Sequence, residues 1–355
     1  MVWYQTRKTV ISMSVIVGFL LIKYTSLFLV SDVGASFKYN VKYFAVRNDT
    51  VKLPVPLSPT TMEAKTVNMK EFSTRNASVN SLKTPLIPTT KTNVVFSEIW
   101  KKLTKPHPHS SYPESVDKHY SQAKQDKAAY DIFPKKNGFF IEMGAYDGKV
   151  HSNTLWLERK HNWTGLLIEG NPLSCPLIDR VKRHAWRLCA CVSSENETIF
   201  IIGSELGGSE KNMPNSHKVH LRSNKRTKVP CFQLYNVLQI VGVFHINYFS
   251  LDVEGGEIPV LNSMREQLIS KQIIVDVWTI EYRAWAGPRF DWPKGMENLA
   301  NLRAFFKEIG GYVEHSQLAY ETHKLQDGHY LDVVFVYIDT WCKTHQLLPD
   351  GKTKC

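Results

Sequence analysis

The stretch Phe139-Phe140-Ile141-Glu142-Met143-Gly144-Ala145-Tyr146-Asp147-Gly148 decides how the chain is read. An apolar strand runs into an acid, and a glycine-containing turn then leads into a helical pattern that begins at about residue 152. In a doubly wound sheet a nucleotide-like ligand binds where a strand ends and turns towards its helix. The next apolar run, Leu166-Leu167-Ile168-Glu169, ends in a carboxylate 21 residues beyond Gly148. That is the spacing at which an acid on a second strand takes ribose hydroxyls. A plain strand, turn and helix without a ligand has the same apolar pattern, so the ligand must be argued from the turn.

A pyrophosphate-binding turn needs a middle glycine so that backbone can approach the phosphates, whereas Ala145 and Tyr146 follow Gly144 here. S-adenosylmethionine carries a ribose and a zwitterionic amino acid and has no phosphate. Glu142 suits its ammonium, and Glu169 suits its ribose diol.

Working outward, strands are expected at 138–143, 165–169, 186–192, 245–251, 273–281, 312–316 and 331–338. Helical segments fall at about 152–160, 173–183, 232–241, 258–268 and 296–309. This alternation predicts an α/β fold with a mostly parallel seven-stranded sheet covered on both faces. A polar insertion at 203–228 carries Lys211, Lys218, Arg222, Lys225, Arg226 and Lys228, and reads as a functional or disordered loop. The segment Glu281-Tyr282-Arg283-Ala284-Trp285 through Trp292 reads either as an acceptor wall or as a lid packed on the sheet. His151, beside the turn, reads as a structural donor rather than a base.

The pieces Glu142-x-Gly144-Ala145-x-Asp147-Gly148, Ser152-Asn153-Thr154, Leu157-Glu158, Trp163-x-Gly165-Leu166-Leu167-Ile168-Glu169-x-x-Pro172 and Leu251-Asp252-Val253-Glu254-Gly255-x-Glu257 together resemble the FkbM-type methyltransferase domain over about residues 133–338. The resemblance implies a class I, Rossmann-like S-adenosylmethionine-dependent methyltransferase fold and transfer to a hydroxyl. It also implies that Glu142, Gly144, Ala145, Gly148, Asn153 and Glu169 line the cofactor. Asp252, Glu254 and Glu257 would then form the catalytic side across the cleft, with Asp252 as the base. Asp252 and Glu254 read equally well as caps of the helix entered through Gly255-Gly256, without chemistry.

The 355 residues include 44 Lys+Arg and 33 Asp+Glu, for a net charge of +11, and 43% are hydrophobic. Those proportions exclude a wholly disordered chain and a multi-span membrane protein. The basic surplus is spread out and not interleaved with aromatics, so no nucleic-acid partner is expected. After Arg7 and Lys8, residues 9–30 give 22 largely apolar positions interrupted by Lys23, long enough to cross a bilayer. They read as a transmembrane signal anchor behind a cytoplasmic tail at 1–8. The alternative is a signal peptide cleaved near Val33-Gly34-Ala35. Either sends the rest of the chain into the secretory lumen.

Residues 31–115 are rich in Pro, Ser and Thr and read as a disordered stem, leaving 116–355 as the head. Sequons at Asn48, Asn76, Asn162 and Asn196 agree with a lumenal body. The six cysteines form no C-x-x-C pair, which argues against zinc, and no metal is expected. Disulfides and reduced core cysteines both remain open.

Anchor, stem and head together are similar to the Star-like single-pass membrane proteins of invertebrates, a resemblance that implies trafficking of growth-factor ligands. Two functions follow for a type II membrane protein of the endoplasmic reticulum, Golgi or endosomes. One is an O-methyltransferase acting on a glycan, lipid-linked or protein acceptor. The other is a non-catalytic trafficking factor with growth-factor cargo, whose partner surfaces would be the basic insertion and the aromatic segment.

Overall fold

The computed structural model describes residues 90–108, 112–203, 207–221, 225–286, 289–319 and 331–355. Helix α1 (Thr90–Trp100), strand β1 (Leu103–Thr104) and helix α2 (Gln125–Ile132) precede β2 (Phe139–Met143), α3 (Leu155–His161), β3 (Thr164–Ile168), α4 (Cys175–Val181) and β4 (Trp186–Leu188). Then come β5 (Cys191–Val192), β6 (Glu197–Ile201), β7 (Gly208–Ser209), α5 (Asn215–His220) and β8 (Arg226–Phe232). The chain continues through α6 (Leu234–Val241), β9 (His245–Leu251), α7 (Glu257–Ser263), α8 (Arg265–Ile269) and β10 (Ile274–Glu281). It ends with β11 (Trp285–Ala286), β12 (Arg289–Phe290), α9 (Trp292–Ile309), β13 (Tyr312–Leu318), β14 (Asp332–Tyr337) and α10 (Ile338–Trp341).

The main sheet has the order β1-β4-β3-β2-β9-β10-β14-β13. Its five central strands, β4 to β10, are parallel, while β1, β14 and β13 run antiparallel to their neighbours. The sheet is therefore mixed and eight-stranded, not seven-stranded as expected. The additional strand, β1, comes from residues read as stem. Composition concealed it because the ordering comes from a few apolar side chains: Ile99 is 0% exposed and Leu103 is 8% exposed in the main core.

Strand β2 shows why the sheet is covered twice. Phe139, Ile141 and Met143 pack among Leu234, Val237, Leu261 and Phe306, while Phe140 packs with Trp156, Leu157, Ile178 and Tyr248. Burial on both faces gives a continuous apolar run in place of alternation. Helices α3 and α4 have 7 residues each, well below the ~12–15 at which an isolated helix becomes marginally stable. They persist because each large apolar side chain they bury against the sheet contributes about 1.5–3 kcal/mol.

Three further expectations are corrected. The run 186–192 is two strands: Cys189 is bonded to Cys175 and donates its N–H to Lys102, after which the chain leaves the main sheet and β5 pairs with β8. The segment 203–228 is not a loop, since β7, α5 and the start of β8 lie within it in a second sheet ordered β5-β8-β6-β7. Its Lys211, Arg226 and Lys228 pair with Glu195, Glu210 and Glu197, which neutralises much of the basic charge. The helix expected over 258–268 breaks at Met264 (φ −123°) into α7 and α8.

Among the described residues no helix is long and apolar enough to cross a membrane. The anchor at 9–30, the stem as far as 89, and the sequons at Asn48 and Asn76 lie outside the described residues. Asn162 and Asn196 are exposed. Asn162 sits just before β3, at the end of the sheet remote from the carboxyl ends of the parallel strands.

All six cysteines are paired, as Cys175–Cys189, Cys191–Cys231 and Cys342–Cys355, which selects the disulfide alternative. Full-length protein denatured without reductant should therefore give no reaction with a thiol reagent, and after reduction all six cysteines should react. A reactive thiol before reduction would contradict the pairing.

Candidate active site

The chain builds β2, β3 and β4 to one side and returns to build β9 and β10 on the other, so strand order reverses between β2 and β9. The crevice at the carboxyl ends of those strands is where ligands of such sheets bind. Gly144 makes the close approach possible. Its φ is +89°, and a Cβ there would stand 1.8 Å from the Asp252 carbonyl oxygen. The turn is pinned from both sides, with Gly144 N–H donating to Ile168 (3.0 Å) and Asp252 N–H donating to Met143 (3.1 Å). Gly148 also has a positive φ of 81°. Ala145 is buried in the core beside Ile178.

Glu142 is buried at the end of β2, and its carboxylate is already engaged. Its Oε1 accepts from Asn153 N–H at 2.8 Å, and its Oε2 accepts from Ser152 Oγ at 2.9 Å and from Thr154 Oγ1. The guanidinium of Arg183 lies 3.9 Å away. Arg183, itself buried, holds Glu158 through Nε at 2.7 Å, the Gly148 carbonyl through Nη1 at 2.6 Å and Thr154 Oγ1 through Nη2 at 2.8 Å. Glu142 thus fastens the 152–154 turn while lining the cavity. Burial pushes its carboxyl up despite Arg183 and the three donors.

Glu169 follows β3. Its Oε2 accepts from Tyr146 N–H at 2.7 Å and its Oε1 accepts from Asn171 N–H at 2.6 Å. Burial pushes its carboxyl up to about 7, opposed by those N–H groups and reinforced by the charge of Asp252. Asn153 donates through Nδ2 to Ser250 Oγ at 2.8 Å, while its Oδ1 is buried without a hydrogen-bond partner.

Asp252 and Glu254 follow β9, and Glu281 ends β10. Their oxygens lie within 4.8 Å of one another. Asp252 and Glu281 stand close enough that the charge of one opposes ionisation of the other. Burial raises all three, and their mutual repulsion raises Glu254 and Glu281 further. Such a set accommodates either shared protons or an oxygen-liganded hard cation. Neither Asp252 nor Glu254 caps α7, whose N-cap is Gly256 without a side-chain bond. Glu257 does not line the main cavity. Its Oε1 accepts from Val253 N–H at 2.9 Å and Gly255 N–H at 3.3 Å, and so holds the loop that carries Glu254.

The cavity has a volume of about 500 Å³, within the ~300–1,000 Å³ of small-molecule sites. Of the predicted residues, Glu142, Gly144, Asn153, Glu169, Asp252 and Glu254 line it, as does exposed His151. Glu281 was missed, although its signature is the one that exposed Glu142 and Glu169: an apolar strand ending in an acid. Beyond Glu281, Tyr282 and Ala284 are buried and the Arg283 guanidinium lies 5.3 Å over the Phe290 ring.

Residues 142–313 match the methyltransferase FkbM domain. The match is shorter at both ends than the resemblance read over 133–338. No curated protein matches the chain. Among solved structures, a TehB-like SAM-dependent methyltransferase from Corynebacterium glutamicum is 10% identical, covering 60% of this chain and 87% of its own, with a TM-score of 0.34. An RNA methyltransferase assigned from Pyrococcus horikoshii is 12% identical, covering 70% and 100%, with a TM-score of 0.30. The N-terminal domain of EvdMO1, solved with SAH and D-fucose, is 11% identical, covering 70% and 97%, with a TM-score of 0.33.

The carboxylates make stability depend on pH in a definite direction. Glu169 and Glu257 titrate at about 7 and Asp332 at about 8 in the folded protein, against 4.5 and 3.8 for the unconstrained groups. A raised carboxyl favours folding below its unfolded value, and that contribution is lost as pH rises through the folded value. The thermal midpoint of the ligand-free protein should therefore fall by several degrees between pH 5 and pH 8.5, at about 2–4 °C per kcal/mol. A flat or rising midpoint would show that these groups are not buried as described.

Proposed function

We propose that the head is an S-adenosylmethionine-dependent O-methyltransferase, held by an N-terminal signal anchor in the lumen of the endoplasmic reticulum, Golgi or endosomes, and acting on a hydroxyl of a glycan, lipid-linked or protein acceptor. The observation that carries this reading is the carboxyl lining of the main cavity, whose burial-raised groups are stabilised in their charged form by a bound cation. Glu142, Glu169, Glu195, Asp252, Glu254 and Glu281 line it, and Lys211, its one lysine or arginine among the described residues, pairs with Glu195. That lining offers a dinucleotide pyrophosphate no cationic partner beyond the paired Lys211. It attracts S-adenosylmethionine, whose sulfonium and ammonium outweigh its single carboxylate.

The residues present fit that group. The buried, unpartnered Oδ1 of Asn153 supplies an acceptor for an ammonium N–H. Glu169 has one N–H on each oxygen and keeps lone pairs free for two ribose hydroxyls. S-adenosylmethionine bound there supplies an electrophilic methyl group. Asp252, in its pair with Glu281, takes the proton of the acceptor hydroxyl. Glu254 lines the cavity beside Asp252 on the loop that Glu257 holds, and Glu142 keeps the turn in place. The same carboxylates hold the demethylated product, which lacks the sulfonium charge, less strongly.

Compartment is supported by the cysteines, since three disulfides form and persist in oxidising surroundings. The exposed Asn162 lies away from the crevice, where a glycan would leave the cavity open.

Calorimetric titration of S-adenosylmethionine into the detergent-solubilised full chain tests the reading. Saturable binding is expected, with Glu169→Ala weakening it tenfold or more, about 1.4 kcal/mol, in a variant that still unfolds cooperatively. A folded chain that does not bind would overturn it in favour of the non-catalytic trafficking of growth-factor ligands implied by the Star-like resemblance.

A further inference from the structure

A second, smaller cavity of about 160 Å³ adjoins the first. Asn212 and Glu281 line both, so the two spaces are neighbours across those side chains. The loop from Val253 to Glu257 forms the rest of the partition, with Glu254 facing the larger space and Glu257 the smaller one. The outer wall is one face of α9. Lys294, Asn298, Asn301 and Leu302 recur at helical spacing and all line the small cavity. A helix packed on a sheet ordinarily turns an apolar stripe inward, and α9 does so further along with Phe305, Phe306 and Ile309. Its earlier turns bury Leu299 and Leu302 as well, but turn the amides of Asn298 and Asn301 to this cavity.

The lining chemistry narrows what fits. Three asparagine amides line it, and although Asn298 Nδ2 already donates to the Tyr282 carbonyl at 3.2 Å, the set offers both donors and acceptors, the pattern that hydroxyl groups satisfy. Glu257 and Glu281 disfavour an anion, and Lys294 already holds Glu297 at 3.0 Å. The volume is below the ~300–1,000 Å³ of pockets for drug-sized ligands, enough for one ring. We infer that the small cavity is an acceptor subsite for a single uncharged sugar ring, with Glu281 between that ring and the main cavity. The subsite deepens the methyltransferase reading, on which its role as an acceptor site rests.

Saturation-transfer NMR and calorimetry on the full chain in detergent, with methyl pyranosides and sugar 1-phosphates as probes, test this directly. At least one methyl pyranoside should bind, more tightly than any sugar phosphate. Asn301→Leu, a change at an exposed position, should weaken that binding at least tenfold while leaving the S-adenosylmethionine affinity and the thermal midpoint unchanged. Failure of every neutral sugar to bind, preference for a phosphate, or indifference to Asn301→Leu would each overturn the subsite. Sugar binding that is sensitive to Asn301→Leu in a chain that ignores S-adenosylmethionine would keep the subsite and remove the methyltransferase reading.

Discussion

Strands β2, β3, β9 and β10 end in one crevice, and each carries a carboxylate out of water with it. An ion moved from water into a protein interior loses several kcal/mol of hydration that its new surroundings must offset. The offsets differ between these groups. Glu142 has three donors and a buried arginine. Glu169 has two backbone N–H groups. Asp252 and Glu281 instead stand beside each other and Glu254, where each charge opposes the others. Negative charge that the protein itself leaves least compensated therefore lies on the β9 and β10 side, and a cationic ligand is the natural complement.

Much of the surrounding architecture follows from holding that crevice together. Arg183 is buried because Glu142 and Glu158 both require it, and its bond to the Gly148 carbonyl fixes the far end of the first turn. Gly144 is bare because the Asp252 carbonyl occupies the space of a side chain. The second sheet supplies the opposite wall through Thr198, Phe200, Gly207 and Ser209. The Cys191–Cys231 bond ties β5 to β8 within that sheet, and Cys175–Cys189 anchors α4 beside the point where the chain leaves the main sheet.

The parallel core was legible because its strands are buried on both faces and spell apolar runs, as at Phe139–Ile141 and Leu166–Ile168. Glu142, Glu169 and Asp252 were legible because an acid closing such a run points to a crevice. Other features left little local trace. Strand β1 has 2 residues in a Thr- and Pro-rich context, and its burial depends on partners far along the chain. Arg183 ends a helical segment and looks like a solvated residue until Glu142 and Glu158 are brought to it. Glu281 was overshadowed by the aromatics that follow it, and its closeness to Asp252 joins strands that no periodicity relates. The polar face of α9 acquires meaning only when Glu281 and Asn212 are seen across from it.

The central claim is that the carboxylate crevice at the β2–β9 reversal is a cation-complementary S-adenosylmethionine site, and a crystal structure of the protein grown with that ligand tests it most directly. The result expected is ligand density in the main cavity, with the ribose hydroxyls on Glu169 and the ammonium on Asn153 Oδ1. Density for the ligand outside that crevice, or within it but away from both Glu169 and Asn153, would contradict the claim.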